Sequence, residues 1–348
     1  MPLRFNQALP QSSFSGGAES LSVGHIRVSN SPIPPNRLLL KPTRYYSARV
    51  RTRITTVRSN PVQNGLWFCS RREFLRASAL TALASSMESP VGRAESSKPN
   101  AGEPISPQDG IIQLFNGKDL TGLYGWLKDT HYSDPRSVFT VRDGVLVISG
   151  EVPGYLATER SYRDYHLIVE YKWGARTYGQ KTVRNSGILL HAVGQDGNAS
   201  PWMSSIECQV AQGCVGDFIV IRGKDADGKV IPVTITSETI LGADGRTRWK
   251  KGGQARVYSG KQFWWSNHDP DFEEKIDTRG RNDVESPLEE WTRVECLCQG
   301  NRISVLVNGT KINACFDVFP SAGKILLESE GFEILIRKFE LHALKPSA

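Results

Sequence analysis

"WTRVECLCQGNRISVLVNGTKI", Trp291 to Ile312, decides the fold class. Its two β-forming runs are closed by Gly300-Asn301 and Asn308-Gly309, dipeptides suited to tight hairpin turns. Similar runs lie on both sides. "VFTVRDGVLVISG" (Val138–Gly150) reads as a hairpin about Asp143-Gly144, and "YHLIVEYKWG" (Tyr165–Gly174), "SGILLHAV" (Ser186–Val193), "DFIVIRG" (Asp217–Gly223) and "GKILLESEGFEILIRKFELHAL" (Gly323–Leu344) continue the series. No long segment has helical periodicity, so the pattern predicts an all-β, antiparallel two-sheet sandwich of the jelly-roll kind. From about Glu238 to Glu290 the strand pattern lapses, and this stretch is expected to be a long loop insertion within one domain.

Charge divides the chain of 348 residues. Through Lys98 it carries 14 Lys and Arg against 4 Glu, and the remainder carries 29 basic against 32 acidic residues. The basic excess thus belongs to the N-terminal part, which argues against nucleic acid as a partner of the folded domain. Residues 1–69 read as a disordered leader, and a translation start near Val62 or Leu66 would remove most of it. "SRREFLRASALTALAS" (Ser70–Ser85) sets Arg71-Arg72 before Phe74, Leu75 and a short Ala/Leu run, a pattern resembling a twin-arginine export signal over 70–96. That run is far below the roughly 20 residues needed to span a bilayer, so no membrane insertion is expected. A linker over 97–109 leads to the sandwich over 110–346, and the expected location is the periplasm or the outside of the cell.

Cys208, Cys214, Cys296, Cys298 and Cys315 follow the signal. Five cysteines cannot all pair, none has the C-x-x-C spacing of a zinc site, and they read as small buried hydrophobes. "KDADGK" and "NHDPDFEE" lack the ligand spacing of a calcium loop and read as solvated turns. Phosphate-loop, dinucleotide, His-Glu-x-x-His and Gly-x-Ser-x-Gly signatures are missing, so no nucleotide cofactor is expected.

Candidate site residues come from strand faces. In "SSIECQV" (Ser204–Val210), Ile206, Cys208 and Val210 take one face while Ser205, Glu207 and Gln209 take the other. In "NSGILLHAV", Asn185, Gly187, Leu189 and His191 fall at period two on one face. Glu170 shares a face with Lys172, and Glu328 with Glu330, either as site residues or as cross-strand ion pairs. Trp202, Trp264 and Trp265 lie in loops, where they either stack on sugar rings or pin the loop down.

The ordered blocks "IIQLFNGKDLTG", "NSGILLH", "SSIECQV" with "GDFIV", "EWTRVECLCQGNRISVLVNGTKIN" and "AGKILLESEGFEILIRKFELHAL" resemble the 3-keto-disaccharide hydrolase domain family from about Gly110 to Leu344. The resemblance implies a concanavalin-like sandwich, export, and action on glycosides oxidised at sugar carbon 3. It makes the polar face of Glu207 a pocket, and Arg337 matches the family's terminal arginine. Gln212 stands where relatives often have an acid, which weakens the case for metal ligation; a divalent metal is an open alternative to having no cofactor.

The expected reaction is cleavage of a 3-keto-glycoside by removal of the carbon 2 proton, with Glu207 or His191 as candidate base and Arg337, Lys172 or a metal ion as candidate partner of the enolate oxygen. Asn185, Gln209, Lys172, Trp202, Glu328 and Arg337 are the candidate substrate contacts. The expected partner is a carbohydrate, with functional coupling to a sugar 3-dehydrogenase. Two rivals are an ordinary two-carboxylate glycosidase, with Glu207 facing Glu170 or Glu328, and a lectin-like binding module without catalysis.

Overall fold

The structure is a computed structural model that describes residues 102–179 and 182–345. The expected leader and the expected export signal lie outside the described residues. The strands are β1 (Ile111–Gln113), β2 (Leu123–Leu127), β3 (Phe139–Arg142), β4 (Val145–Ile148), β5 (Gly154–Thr158) and β6 (Tyr165–Thr177). They continue as β7 (Asn185–Val193), β8 (Ser204–Ala211), β9 (Phe218–Ile221), β10 (Thr234–Leu241), β11 (Thr247–Trp249) and β12 (Gln254–Val257). The C-terminal set is β13 (Thr292–Gln299), β14 (Arg302–Val307), β15 (Thr310–Phe319), β16 (Lys324–Ser329) and β17 (Phe332–His342). No helix occurs among the described residues, so none is present that could cross a membrane.

The hairpins close where the turn dipeptides stand. Asp143 and Gly144 at φ 50° and 77°, and Asn308 and Gly309 at φ 48° and 80°, both occupy the left-handed region, as a two-residue hairpin turn between twisted strands requires. Two antiparallel sheets result. One holds 11 strands in the order β11-β10-β15-β14-β13-β6-β17-β4-β3, with β1 added on β17 and β12 on β10; the other holds six, β2-β5-β16-β7-β8-β9. Side chains alternating inward from both sheets form the core, which includes Leu167, Val169, Ile188, Leu190, Ile206 and Phe339. The five cysteines from Cys208 onward are all free. Cys208, Cys296, Cys298 and Cys315 are buried in that core as small apolar fillers, while Cys214 is partly exposed.

The expected insertion over Glu238–Glu290 is only partly a loop. Its first third continues β10 and adds β11 and β12, which pair with β10 and extend the larger sheet. The strandless part runs from Tyr258 to Trp291. Its tryptophans hold it down. Trp265 is fully buried and its Nε1 donates to the Gly213 carbonyl at 3.2 Å, and Trp264 is covered by the Arg246 guanidinium.

Candidate functional site

Strand pairing sets the outward side chains of the six-stranded sheet in rows. One row runs Ile219, Glu207, Leu189, Leu326, Ala157 and Tyr124. The next places Gln209 opposite Gly187, and Glu328 opposite Tyr155 and then Trp126. Asn185 pairs with Ala211 one step further. Since Ile206, Cys208 and Val210 point into the core, Glu207 and Gln209 share the outer face with Asn185 and Glu328, as the alternation predicts.

Gly187 is the centre of this face. A Cβ built on it would lie 2.7 Å from Glu328 Oε2 and 2.8 Å from Glu207 Oε1, so the two oxygens stand no farther apart than the sum of those lengths. Any side chain there would fill the gap between the carboxylates. Glu207 is only 6% exposed and accepts no hydrogen bond from a described residue. Burial pushes its pKa up to about 8, and the negative charges of Glu330 and Asp217 add to the rise. A carboxyl tuned to that range can exchange a proton near neutral pH.

The amides beside it are directional. Gln209 Oε1 accepts the Val210 N–H at 3.0 Å, so its Nε2 is the group left to donate. Asn185 Nδ2 donates to Glu330 Oε2 at 2.6 Å, and its buried Oδ1 has no partner among the described residues. The site thus offers a proton-exchanging carboxyl, a second carboxylate, an amide donor and an amide acceptor around a glycine floor.

Two loops wall this face. Over β2 and β5, Asp196 takes the hydroxyls of Tyr124 and Tyr155 on Oδ1, at 2.7 and 2.8 Å, and that of Tyr132 on Oδ2 at 2.8 Å. The same loop brings half-buried Trp202, with Met203, onto the apolar cluster of Leu189 and Leu326. At the other end the strandless segment is tied to the sheet rim. Buried Asp217 accepts from Gln262 Nε2 at 2.5 Å and Trp265 N at 2.6 Å, while Gln212 accepts the backbone N–H groups of Arg184 and Asp277. Gln212 is therefore a clamp for this segment.

Three expected site residues stand elsewhere. His191 does not share the face of Asn185 and Gly187, because a β-bulge between Leu190 and Val193 and a φ of 53° at His191 break the period of two. Its ring is fully buried, edge-on to core Tyr165, with Nδ1 3.0 Å from the Pro320 carbonyl, and burial lowers its pKa to about 4. Lys172 and Arg337 belong to β6 and β17 of the larger sheet and lie on its outer face, on the far side of the sandwich from Glu207. Both cations stand over the Trp291 ring, and Arg337 Nε donates to Glu170 at 2.7 Å. Glu170 also pairs with Arg293 there, so it is not a partner of Glu207.

Sequence reasoning placed Gly187 on the face but not as its floor, and it missed Asp217 as well as the link from Glu330 to Asn185. A glycine inside a strand of bulky residues is itself a signal of close approach. Among the described residues no three His, Cys, Asp or Glu side chains are placed together to hold a metal ion. A small void lies between the sheets, lined by Ile148, Tyr171, Ile188 and Leu327 and by Gly187, the floor of this face.

No curated protein sequence matches the chain. Among solved structures it is similar to a candidate glycosyl hydrolase from Parabacteroides distasonis, with 18% identity, 68% of this chain and 94% of that one covered, and a TM-score of 0.41. It is also similar to the carbohydrate-binding module CBM66 from Bacillus subtilis, with 9% identity, 63% and 94% covered, and a TM-score of 0.34. A β-glucanase from Bacillus licheniformis matches with 10% identity, 68% and 99% covered, and a TM-score of 0.34. The architecture is an all-β sandwich of two antiparallel sheets. Residues 110–342 match the 3-keto-alpha-glucoside-1,2-lyase-like domain, and the chain belongs to that family.

Proposed function

We propose that this protein is an exported enzyme that cleaves 3-keto-glycosides at carbon 1 by way of a carbon 2 carbanion equivalent. The observation that carries the reading is the buried Glu207 carboxyl, unpaired among the described residues and facing Glu328 across the side-chain-free Gly187. A ketone at carbon 3 acidifies the hydrogen on carbon 2. Glu207 in its ionised form takes that proton, and the C–H electron pair moves to form the enolate, whose charge rests on the carbon 3 oxygen. The Gln209 Nε2 donor stabilises that oxygen, the part first expected of Arg337 or Lys172. Collapse of the enolate re-forms the carbon 3 ketone and expels the carbon 1 substituent as an alkoxide, which takes a proton from water, and a carbon–carbon double bond remains between carbons 1 and 2. Water then adds across it. A base with a pKa near neutrality suits this step, since it is both ionised often enough and basic enough to act.

Export through the twin-arginine route and supply of the oxidised sugar by a 3-dehydrogenase belong to the same reading, the first motivated by Arg71-Arg72 and the second by the chemistry of the substrate. A second reading has support of its own. The closeness of Glu207 to Glu328 is compatible with the roughly 5 Å spacing of carboxyl groups in retaining glycosidases.

One experiment separates them. The protein is incubated with a glucoside and with its 3-keto derivative, each deuterated at carbon 2. Consumption of the keto form alone, with loss of the label to solvent or a primary isotope effect, supports elimination. Consumption of the unoxidised glucoside with the label retained would establish the glycosidase, and binding without turnover of either would leave a carbohydrate-binding module.

A further inference from the structure

Glu330 lies in the turn between β16 and β17, two residues beyond Glu328. Its carboxylate accepts the Asn185 Nδ2 at 2.6 Å. An ionised carboxylate can only accept, so it dictates which end of the amide it meets. The NH2 group must face Glu330, and Oδ1 must turn away from it. That oxygen is buried and has no partner among the described residues, an arrangement that native structures keep for few groups. Asn185 lies two residues before Gly187 on the same strand face, so this acceptor adjoins the gap between the carboxylates.

Glu330 also acts on Glu207 through space. The groups around Glu207 come from several elements: Glu328 on β16, Glu330 in the following turn, Asp217 and Cys214 in the connection from β8 to β9, and Tyr258 just after β12. Burial is the first cause of the elevated Glu207 pKa, and Glu330 is the largest of the charges that add to it.

We infer that Glu330 is a positioning residue of this site: it fixes the Asn185 amide with Oδ1 presented to a hydroxyl of the sugar, and it holds a negative charge beside Glu207. The first part rests on the proposed glycoside chemistry, while the second can be read without any turnover.

The test is a reciprocal exchange in the full-length protein. Glu330→Gln removes the charge and lets the Asn185 amide sit either way round. KM for the 3-keto-glycoside should rise by roughly 3- to 10-fold, and the limb of the pH–rate profile that reports Glu207 should move to lower pH by about half a unit or more. Adding Asn185→Asp to Glu330→Gln restores one donor facing one acceptor and returns the charge. KM should then recover to within about 2-fold, and the pH limb should move back. A role in folding alone would lower the melting temperature of Glu330→Gln and leave the pH limb where it was, which would overturn the assignment. So would a double variant no better than the single one.

NMR titration of a 13C-labelled Glu207 carboxyl supplies the independent readout. A fall of its pKa in Glu330→Gln supports the charge effect even if no 3-keto-glycoside is consumed, in which case the reaction is wrong and the electrostatic part of the assignment stands. An unchanged Glu207 titration sinks that part whatever the activity.

Discussion

Glu207 Oε1 and Glu328 Oε2 meet over the α-carbon of Gly187, each less than 3 Å from the point where a Cβ would sit. They come from two strands that do not touch, β8 and β16, with β7 between them. Two carboxylates brought together on a largely buried face repel one another, which favours holding a proton between them. The glycine keeps the space between them open.

Gly187→Ala tests the opening directly. The added methyl collides with both carboxylates, whose side chains must turn aside. Turnover should fall by roughly 10²-fold, the scale of displaced acid–base catalysis. The sheet should survive, because alanine is tolerated in a strand and Gly187 has no left-handed φ. Full activity in a variant with an unchanged melting temperature would remove the carboxylate pair from the mechanism.

Glu207→Gln should trade activity for stability. The folded pKa of about 8 lies above the ordinary glutamate value of 4.5, so between these pH values the native state holds a proton that the unfolded state has lost. Stability contributed by this group is present below about pH 4.5 and is lost as pH rises to about 8, by up to about 1.4 kcal/mol for each unit traversed. The glutamine variant has no such loss. It should therefore melt higher than the wild type at pH 8 and differ less at pH 5, while turnover drops by roughly 10²-fold or more. Thermal unfolding at the two pH values, with kcat alongside, checks both halves.

The fold was legible in the sequence because hairpin chemistry is local. Asp143-Gly144 and Asn308-Gly309 sit where positive φ is needed, and alternation in Ser204–Val210 correctly put Glu207 and Gln209 on the outer face. What failed was anything that depends on an irregularity or on the arrangement of strands. Period two carried His191 onto the face of Asn185, but the bulge at that residue turns its ring to the core. Lys172 and Arg337 have the right chemistry for an enolate partner, yet strand order assigns β6 and β17 to the other sheet, and no local pattern reports which sheet a strand joins. The clamp of Gln212 on Asp277 was illegible for the same reason, since 65 residues separate its two ends.

Lys172→Met and Arg337→Met should leave kcat/KM within about 3-fold of wild type. Both side chains lie on the outer face of the larger sheet, where Arg337 shares Glu170 with Arg293 and both cations cover Trp291. Partly exposed pairs of this kind contribute about 1 kcal/mol or less, so the change in melting temperature should be small. A loss of 10²-fold or more in either variant would place the chemistry on the wrong sheet.

His191 should matter for stability and not for the chemical step. Its Nδ1 lies 3.0 Å from the Pro320 carbonyl and its ring packs edge-on to Tyr165, so the neutral imidazole, with Nδ1–H donating, is the form that fits. Burial lowers the pKa to about 4 from the ordinary 6.5, which means the unfolded state binds the proton first as pH falls. Stability is therefore full above about pH 6.5 and declines as pH drops towards 4, at up to about 1.4 kcal/mol per unit. His191→Ala should unfold about 2–4 kcal/mol more easily at pH 7 through the cavity and the lost hydrogen bond, and its melting temperature should depend less on pH between 6.5 and 4. In the fraction that remains folded, kcat for the 3-keto-glycoside should stay within about 3-fold of wild type. If instead His191→Ala keeps its melting temperature and loses turnover by roughly 10²-fold, the base is the histidine, and Glu207 must be reassigned to holding the sugar.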